Sequence, residues 1–312
     1  MAAVAAWAAA ASVTLAVPDQ PPSIFIVYEG TAQLGMAAAT VAAIIAVVGV
    51  FGAWIPGVGA RLARFAPWLT VLGLAAGAYE LATAKLAWLP RPYFTSPQEV
   101  AVVFRDDAAL LLESLLYSLR LLAIGFAVGA GVGFLTGVAM GWSRRVNYWL
   151  YPVARTIGPV PAAAWLPIAY VVLPTNTIAS LFMIALAAWF PMALLTWSGV
   201  AGVSRSYYDV ARTLGASERF LVWKVAVPAA LPSVFVGLFM GLGGSFISLV
   251  VAEELGVKAG LGWYIQWALG WGEWKKAWAG LLIMVVLFSG LITLLFRLRN
   301  RVLSWQQGLV RW

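Results

Sequence analysis

The sequence SRSYYDVARTLGASERFLVWKVAVPAALP, residues 204–232, is a polar and charged stretch between two long apolar segments. The apolar segments lie at about 177–200 and 229–252, and each is long enough to cross a bilayer as a helix, which takes roughly 20 residues. The polar stretch is therefore predicted to lie at a membrane surface. It is longer than most connections between helices, which favours a folded element over a plain solvated loop.

The composition of the whole chain also requires a bilayer. The chain has 312 residues, of which 63% are hydrophobic and 10% charged, whereas soluble domains carry about 25% charged residues. We therefore predict an all-α integral membrane protein. The chain has no cysteine and no histidine, which excludes thiol chemistry, zinc sites of the Cys/His type and histidine acid–base catalysis.

The net charge of +8 is explained by the bilayer as well. In membrane proteins basic residues concentrate in the cytoplasmic loops and fix the orientation of the spans. This explanation removes the need for a nucleic-acid partner, and we predict none.

Eight apolar segments are candidate membrane spans. They lie at about 1–17, 31–54, 66–89, 112–141, 149–173, 177–200, 229–252 and 276–297. The first is short for a span, but its lack of an early Lys or Arg favours a retained helix over a cleaved signal peptide. If it were cleaved or interfacial, seven spans would remain. In the fourth segment, small residues should let helices approach closely: Gly125, Gly129, Gly131 and Gly133.

The loop charges predict which side of the membrane each loop occupies. Four basic groups fall on one side of the predicted spans: Arg61 and Arg64; Arg144 and Arg145; Arg205, Arg212, Arg219 and Lys224; and Arg297, Arg299 and Arg301. Most acidic residues fall on the other side. Because positive charge accumulates inside, residues 204–228 and the C-terminus are predicted to be cytoplasmic.

Residues 204–228 are predicted to form two short helices with a tight turn between them. Ser206 and Asp209 have the spacing of a capping box at a helix start. Gly215 stands where a left-handed residue would end the first helix, and Ser217 is a natural N-cap for the second. Pro228 lies where the following span can begin.

The spacing inside this loop resembles the EAA loop of ABC-importer permeases. That family pattern is E-A-A, three residues, Gly, nine residues and I-x-L-P. Here Gly215 and Pro228 stand at the family's spacing, Asp209 replaces the Glu, and Val225 and Val227 replace the Ile and Leu. The resemblance implies that the loop docks on an ATPase subunit. The residues it assigns to docking are Tyr207, Tyr208, Asp209, Ala211, Leu214, Gly215, Ala216, Phe220, Val225 and Pro228, with Tyr207, Tyr208 and Phe220 as exposed aromatic anchors.

The resemblance extends from about residue 66 to 308, to permeases of the nitrate/sulfonate/taurine (NitT/TauT) importer group. Segments 78–100, 114–144, 151–173 and 250–268 carry it, the last through the pattern A-E-x-x-x-x-x-x-G-L-G-x-x-I. It implies a type I importer fold with six core helices. Residues 61–312 would form this permease domain, and residues 1–60 would add about two extra N-terminal helices.

The family membership would also fix the partners. The chain would be a non-catalytic subunit in a bacterial inner membrane, working with two ATPase copies, a second permease that is expected to be identical, and a soluble binding protein. ATP and Mg²⁺ would belong to the ATPase, with no cofactor or metal in this chain. The solute would be small and anionic, like nitrate, a sulfonate, taurine or bicarbonate.

Candidates for the translocation path are few. We predict Ser245, Ser248, Glu253, Trp165 and Asn176, with Glu253 organising the outer mouth; hydrogen bonding between helices is the alternative role for any single Ser. Glu80 and Lys85 are charged residues inside a predicted span, five positions apart, where an α-helix does not pair them well.

Two other classes of protein compete with an importer subunit. A secondary transporter or channel would work without ATP and should show internal repeats, which the sequence does not display convincingly. An integral-membrane enzyme would need a catalytic constellation, and no carboxylate pair is clearly placed for one. Neither alternative explains the spacing of residues 209–228.

Overall fold

The computed structural model of the protein describes residues 1–21, 28–52 and 58–306, and all the regular structure in these ranges is helical. The helices are α1 (Ala2–Ala16), α2 (Thr31–Phe51), α3 (Val58–Glu80), α4 (Pro97–Asp106), α5 (Ala108–Trp142), α6 (Arg144–Ile157), α7 (Leu166–Val172), α8 (Asn176–Ala201), α9 (Arg205–Thr213), α10 (Glu218–Phe220), α11 (Val227–Leu255), α12 (Leu261–Gly270) and α13 (Trp274–Val302). Wider π-helical turns extend α3 through Leu81–Lys85 and join α10 to α11 through Leu221–Ala226.

Six helical stretches in the described ranges are long and apolar enough to cross a membrane. They are Thr31–Phe51, Val58–Lys85, Ala108–Trp142, Asn176–Ala201, Glu218–Leu255 and Trp274–Val302. The predicted all-α membrane fold is confirmed. The first predicted segment forms α1, a helix of 15 residues; at 1.5 Å per residue it is shorter than the roughly 30 Å hydrocarbon core.

The predicted span at 149–173 is wrong as a single helix. It is divided between α6, which begins with Arg144 and ends at Ile157, and a shorter apolar stretch at Ala162–Val172. Pro161, which lies in the break, has no backbone N–H and restricts the residue before it. Gly158, which follows α6, adds a second weak helix former. Hydropathy alone does not reveal this break, because residues 149–173 are apolar on both sides of it.

The chain separates into two compact units. The first contains Met1–Leu111 with Ile265–Leu281, and the second contains Leu112–Tyr264 with the chain from Leu282 onward. These units are defined by contacts between residues. They do not test the predicted division into an N-terminal extension of 1–60 and a permease domain of 61–312, which stays a prediction.

In the first unit, α1 packs through an alanine stripe against glycines of α3. A methyl group added at Gly73 would lie 3.1 Å from the Ala6 methyl carbon, and one at Gly77 would lie 3.3 Å from that of Ala10. The Trp7 indole N–H donates to the Leu69 carbonyl at 2.9 Å. Small facing residues let the helix axes approach closely, which is how helices associate in a bilayer.

Lys85 connects the π-helical end of α3 to the end of α1. Its side chain is fully buried, and its ammonium group donates to the Thr14 carbonyl at 2.9 Å, the Val17 carbonyl at 2.7 Å and Asp19 Oδ1 at 2.8 Å. An α-helix would not place Glu80 and Lys85 well for pairing, but this segment is a π-turn, whose hydrogen bonds join residues five apart. It brings Lys85 Nζ to 3.8 Å from Glu80 Oε1.

In the second unit, α8 lies between glycine faces of α5 and α11. A methyl group added at Gly125 would reach Ile184, one at Gly129 would reach the Ala185 carbonyl, and one at Gly241 would lie 3.2 Å from the Ala188 carbonyl. Gly133 is equally close to α8, so three of the four predicted packing glycines are confirmed. Gly131 is the exception, because no atom lies within 4 Å of its position for a side chain.

Candidate functional site

The start of α9 differs from the prediction by one half-turn. Ser204 is the N-cap and Arg205 the first helical residue, so Ser206 lies inside the helix and the predicted Ser206–Asp209 capping box is wrong. The first turn is closed by the Tyr207 N–H, which donates to the Ser204 carbonyl at 3.2 Å. Ser206 accepts a hydrogen bond from the Ser204 hydroxyl at 3.3 Å instead.

The turn after α9 is formed as predicted. Gly215 has φ +81°, in the left-handed region that side chains disfavour. Its N–H donates to the Arg212 carbonyl at 2.9 Å, and the Ala216 N–H donates to the Ala211 carbonyl at 3.0 Å. These two bonds make a complete Schellman motif, which satisfies carbonyls that the end of a helix leaves free.

The second helix begins at the predicted cap. Ser217 is its N-cap, and its hydroxyl accepts from the Phe220 N–H at 3.4 Å. Arg212 and Glu218 bridge the turn at 3.2 Å, but both side chains are more than half exposed, so the ion pair contributes little. The backbone motif, rather than this pair, holds the turn.

The entry into α11 is a π-helical segment, Leu221–Ala226. Pro228, in the first turn of α11, lacks the N–H that an α-helix would pair with residue 224, and its ring would crowd that carbonyl. A wider turn removes both conflicts. Leu221 and Ala226 at its two ends are fully buried, and the helical turns continue without a gap from α10 into the long α11.

The helix α9 has two apolar faces. On the inner face, the Tyr208 ring meets the Trp142 ring edge-on at 5.6 Å between centroids and packs against the cluster of Val138, Val200, Ala226 and Ala230. The expectation that Tyr208 is an exposed anchor is therefore wrong. Burial raises the pKa of the Tyr208 phenol above its ordinary value.

The outer face of α9 is apolar and exposed. Tyr207 is 63% exposed, Val210 62% and Leu214 82%, and their spacing of three and four residues places them on one stripe. Phe220 is exposed as predicted, and Trp223 beside it is equally so. Of the other predicted docking residues, Asp209 is exposed, while Ala211, Ala216, Val225 and Pro228 are half-buried beneath the loop.

Glu253 lies in a buried cluster with other groups of the second unit. The Ser118 hydroxyl donates to Glu253 Oε1 at 2.7 Å, and the Gly262 N–H donates to Oε2 at 2.9 Å. Ser118 Oγ also accepts from the Leu261 N–H at 2.8 Å. The Glu253 carboxyl is fully buried and binds the chain that follows α11; that it organises the outer mouth stays a prediction.

The glycines next to Glu253 are required by its position. Gly260 has φ +99°, and a side-chain carbon there would collide with the Glu253 carboxyl group. A methyl group at Gly262 would lie 2.9 Å from Glu253 Cβ. The spacing A-E-x-x-x-x-x-x-G-L-G, from Ala252 to Gly262, therefore describes a carboxylate and the two glycines that fold around it.

The other four candidates for the translocation path have different surroundings in the structure. The Ser245 hydroxyl donates to the Ile184 carbonyl at 3.0 Å, which is the helix-to-helix bond foreseen as the alternative. The Asn176 amide donates to the Gly256 carbonyl at 2.7 Å, and Trp165 packs against a buried cluster around Met183. Ser248 differs from them, because it lines a cavity of about 230 Å³.

That cavity opens at the break between α6 and α7, which the sequence patterns did not identify. Gly158, Pro161 and Ala162 from the break line it, together with Phe190 of α8 and Gly244 of α11. Gly158 and Pro161 are weak helix formers within the otherwise apolar segment 149–173.

Comparison with known proteins places the chain. Residues 129–304 match the family described as "Binding-protein-dependent transport system inner membrane component". The putative aliphatic sulfonates transport permease protein SsuC of Bacillus subtilis is 30% identical over 218 residues, which are 68% of this chain and 78% of that protein. The bicarbonate transport system permease protein CmpB of Synechococcus elongatus is 32% identical over 196 residues, 62% of this chain and 66% of that one.

Further relatives agree. The nitrate import permease protein NrtB of Synechocystis is 30% identical over 193 residues, 62% of this chain and 67% of that protein. Among solved structures, an inward-facing conformation of the MetNI methionine ABC transporter has a TM-score of 0.55 at 16% identity, covering 63% of this chain and 97% of that one. This last likeness is one of fold.

The family match, the relatives and the helical membrane fold agree, and the resemblance drawn from the loop is confirmed. The chain belongs to the family of binding-protein-dependent transport system inner membrane components, as an ABC permease of the nitrate/sulfonate/taurine type with a type I importer membrane fold.

Proposed function

We propose that this chain is the permease subunit of an ATP-driven importer, and that α9 with its turn docks on a separate ATPase subunit. The observation that carries the docking proposal is the outer stripe of Tyr207, Val210 and Leu214, an apolar surface on a helix of a polar loop. An exposed apolar patch with aromatic residues is typical of a binding surface.

The mechanical argument rests on the inner face and the turn. Tyr208 fixes α9 to the membrane bundle through Trp142, and the Schellman motif at Gly215 fixes its end. A movement of the docked partner would therefore be transmitted to the start of α11 through the continuous helix beyond Ser217. A flexible loop would absorb the same movement.

The remaining parts of the machine follow from the family. We infer two ATPase copies that hold ATP and Mg²⁺, a second and identical permease, and a soluble binding protein that delivers the solute. The basic residues of the loop, Arg205, Arg212, Arg219 and Lys224, support a cytoplasmic position for α9 and for the C-terminus. The relatives named for sulfonate, bicarbonate and nitrate transport support a small anionic solute.

The last part of the proposal concerns the N-terminal helices α1 and α2. The family match begins at residue 129, well after α1 and α2. We infer that residues 1–60 add helices to the permease core of 61–312, and that Lys85 attaches them through its bonds to Thr14, Val17 and Asp19.

The docking proposal is tested by co-purification of the chain with its ATPase. Leu214→Asp places a charge on the outer stripe and should abolish the complex. Thr213→Asp is the matched control: it adds the same charge to the same helix end, with the same unfavourable interaction with the helix dipole, beside the stripe. A deletion of 209–215 should also abolish the complex, and a complex that survives this deletion would refute the docking role.

Solute uptake into proteoliposomes distinguishes the importer from a secondary transporter or channel. In proteoliposomes that contain the permease without an ATPase, an ATP-independent transporter or channel would carry the solute down its gradient. The importer predicts uptake only with the ATPase, the binding protein and ATP present together.

A further inference from the structure

A hollow of about 340 Å³ lies at the end of α5, within the second unit. Its walls come from the last turns of α5, the first turn of α6 and the π-helical segment before α11, and they include Leu135, Val138, Ala139, Trp142, Val222 and Trp223. Among the described residues that line it, none is charged. A hydrocarbon group would therefore gain free energy by leaving water for this hollow.

The hollow is the end of a longer apolar groove on α5. Gly131 has no atom within 4 Å of its position for a side chain, and Leu135 is 57% exposed. The spacing from Gly131 to Leu135 and on to Trp142 places the three residues on one face of the helix. With a rise of about 1.5 Å per residue, the groove from Gly131 to Trp142 is about 16 Å long. That is close to half of the roughly 30 Å hydrocarbon core, which is the depth of one leaflet.

Basic residues border the hollow where the apolar span ends. Arg144 and Arg145 come directly after α5, and Lys224 follows Trp223 of the wall. All three side chains are exposed, and none is in an ion pair with another described residue. The sequence between Arg120 and Arg144 carries no charge, so these basic groups mark the membrane surface. Positive charge at the surface and an apolar groove below it match the phosphate and the acyl chain of a phospholipid.

Two other occupants fit this arrangement less well. A second copy of the chain, packed here about a two-fold axis, would bring the basic residues close to their own copies, and like charges would then repel. A small anionic solute would be attracted by the basic residues, but it has no use for an apolar groove as long as a leaflet. A phospholipid with a negative headgroup uses both features.

We propose that this hollow binds an anionic phospholipid of the cytoplasmic leaflet. One acyl chain would lie along α5 between Gly131 and Trp142, and the phosphate would lie among Arg144, Arg145 and Lys224. The proposal rests on the proposed function only in assigning this end of α5 to the cytoplasmic side.

The site also adjoins both connections between the docking helix and the membrane bundle. The Trp142 ring in its wall contacts Tyr208 of α9, and Trp223 belongs to the π-helical segment that leads into α11 and lies 6.4 Å from the Phe134 ring of α5. A lipid in the hollow would fill the space beside these two connections. Anionic lipid should therefore raise the rate of ATP-driven uptake.

The chain has no cysteine, so an introduced thiol carries a single bimane fluorophore. Ala139→Cys places the label in the wall of the hollow. Val286→Cys is the matched control, on a residue of the spanning helix α13 that is 72% exposed. The full chain is reconstituted without ATPase in phosphatidylcholine vesicles, in which a fixed share of the lipid is dibrominated phosphatidylglycerol or dibrominated phosphatidylcholine. Bromine quenches the label on contact and the acyl chains are identical, so the ratio of the two signals reports the headgroup preference.

At Val286→Cys the two brominated lipids should quench equally, because this label reports the bulk bilayer. At Ala139→Cys we expect phosphatidylglycerol to quench more strongly. A basic residue near a membrane surface changes the affinity for anionic lipid about fivefold, so Arg145→Gln and Lys224→Gln should each lower the preference by about that factor. Arg301→Gln removes an exposed positive charge from the end of α13 and should leave the preference unchanged.

Equal quenching by the two lipids at Ala139→Cys would overturn the inference, and so would a preference that survives both Arg145→Gln and Lys224→Gln. No quenching by either lipid would show that protein covers the hollow, which also contradicts the proposal. If Ala139→Cys does not fold, Leu135→Cys gives the same readout from another wall residue.

The effect on transport is measured as ATP-driven uptake by the reconstituted importer in vesicles with and without phosphatidylglycerol. Uptake should rise with this lipid in the unmodified chain, and the rise should be smaller in Arg145→Gln. Uptake that ignores the lipid would overturn the effect on coupling. Because quenching is read in the chain alone and docking by co-purification with the ATPase, a failure of the proposed importer function is seen separately from a failure of the lipid site.

Discussion

The Ser118 hydroxyl donates a hydrogen bond of 2.7 Å to Glu253 Oε1, although 135 residues separate the two in the chain. Ser118 is on α5, Glu253 is in the last turn of α11, and the same two side chains bind the N–H groups of Leu261 and Gly262 at the start of α12. The Glu253–Ser118 pair therefore joins α5, α11 and the first residues of α12. Such a network is stabilising only while every member keeps its partner.

Glu253→Ala should destabilise the protein, and Glu254→Ala should not. Removal of the buried carboxyl leaves the Gly262 N–H without its acceptor, and an unsatisfied buried donor costs about 1–3 kcal/mol. Glu254 is adjacent and only partly buried, which makes it the matched control. Thermal unfolding of the detergent-solubilised chain measures the difference. Equal Tm values for the two variants would show that the cluster does not support the fold.

The Glu253 cluster joins residues that are close in the fold and distant in the chain. The spacing of Ala252, Glu253, Gly260 and Gly262 is visible in the sequence, but its cause is not, because the partner Ser118 is distant in the chain. The pattern alone therefore does not show that the Glu253 side chain is fully buried. A local pattern identifies a constraint, and only the fold shows which atoms impose it.

Gly129→Val should disrupt the fold, whereas Gly131→Val should be tolerated. A side-chain carbon at Gly129 would collide with the Ala185 carbonyl of α8, while one at Gly131 would meet no atom within 4 Å. Overpacking against backbone forces the helices apart and costs typically about 1–3 kcal/mol or more. The yield of monodisperse protein and its Tm report the effect. Similar losses in both variants would point to the β-branched residue itself rather than to contact with α8.

The packing of α5 was predictable from its sequence, and the break after α6 was not. Gly125, Gly129 and Gly133 recur every four residues, so they share one face of a helix, and Gly131 falls on another. In the segment 149–173, hydropathy alone gives a continuous span. Gly158 and Pro161 mark a weak point in that span, but the close contact between Gly158 and the Phe190 ring is a tertiary feature that no local pattern contains.

Lys85→Met should release α1 from the rest of the first unit. The ammonium group donates to two carbonyls at the C-terminal end of α1 and to Asp19, and the loss of one partner of a buried ion pair costs about 3–5 kcal/mol. Hydrogen exchange of the amides in Ala2–Ala16 should accelerate. Lys275→Met is the control in the same unit, since Lys275 is 43% exposed and pairs with Glu273 at 3.8 Å. Unchanged exchange in Lys85→Met would mean that the alanine–glycine packing of α1 on α3 is sufficient.

Gly215 gives the sharpest test of the turn between α9 and α10. Its φ of +81° costs a residue with a side chain about 1–2 kcal/mol, except that Asn tolerates this region better. No atom lies within 4 Å of an added side-chain carbon, so Gly215→Ala acts through backbone conformation and not through a clash. A cost of that size lowers the population of the native turn by a factor of roughly 5–30.

ATP-dependent uptake by the reconstituted importer should therefore decrease in the order Gly215, Gly215→Asn, Gly215→Ala. The Tm of the chain should change little, because the turn is exposed and lies outside the buried clusters. Uptake that is equal in all three proteins would show that the Schellman turn is dispensable for coupling. A parallel loss of Tm in Gly215→Ala would show instead that the turn supports the fold, since a coupling defect alone leaves the membrane bundle intact.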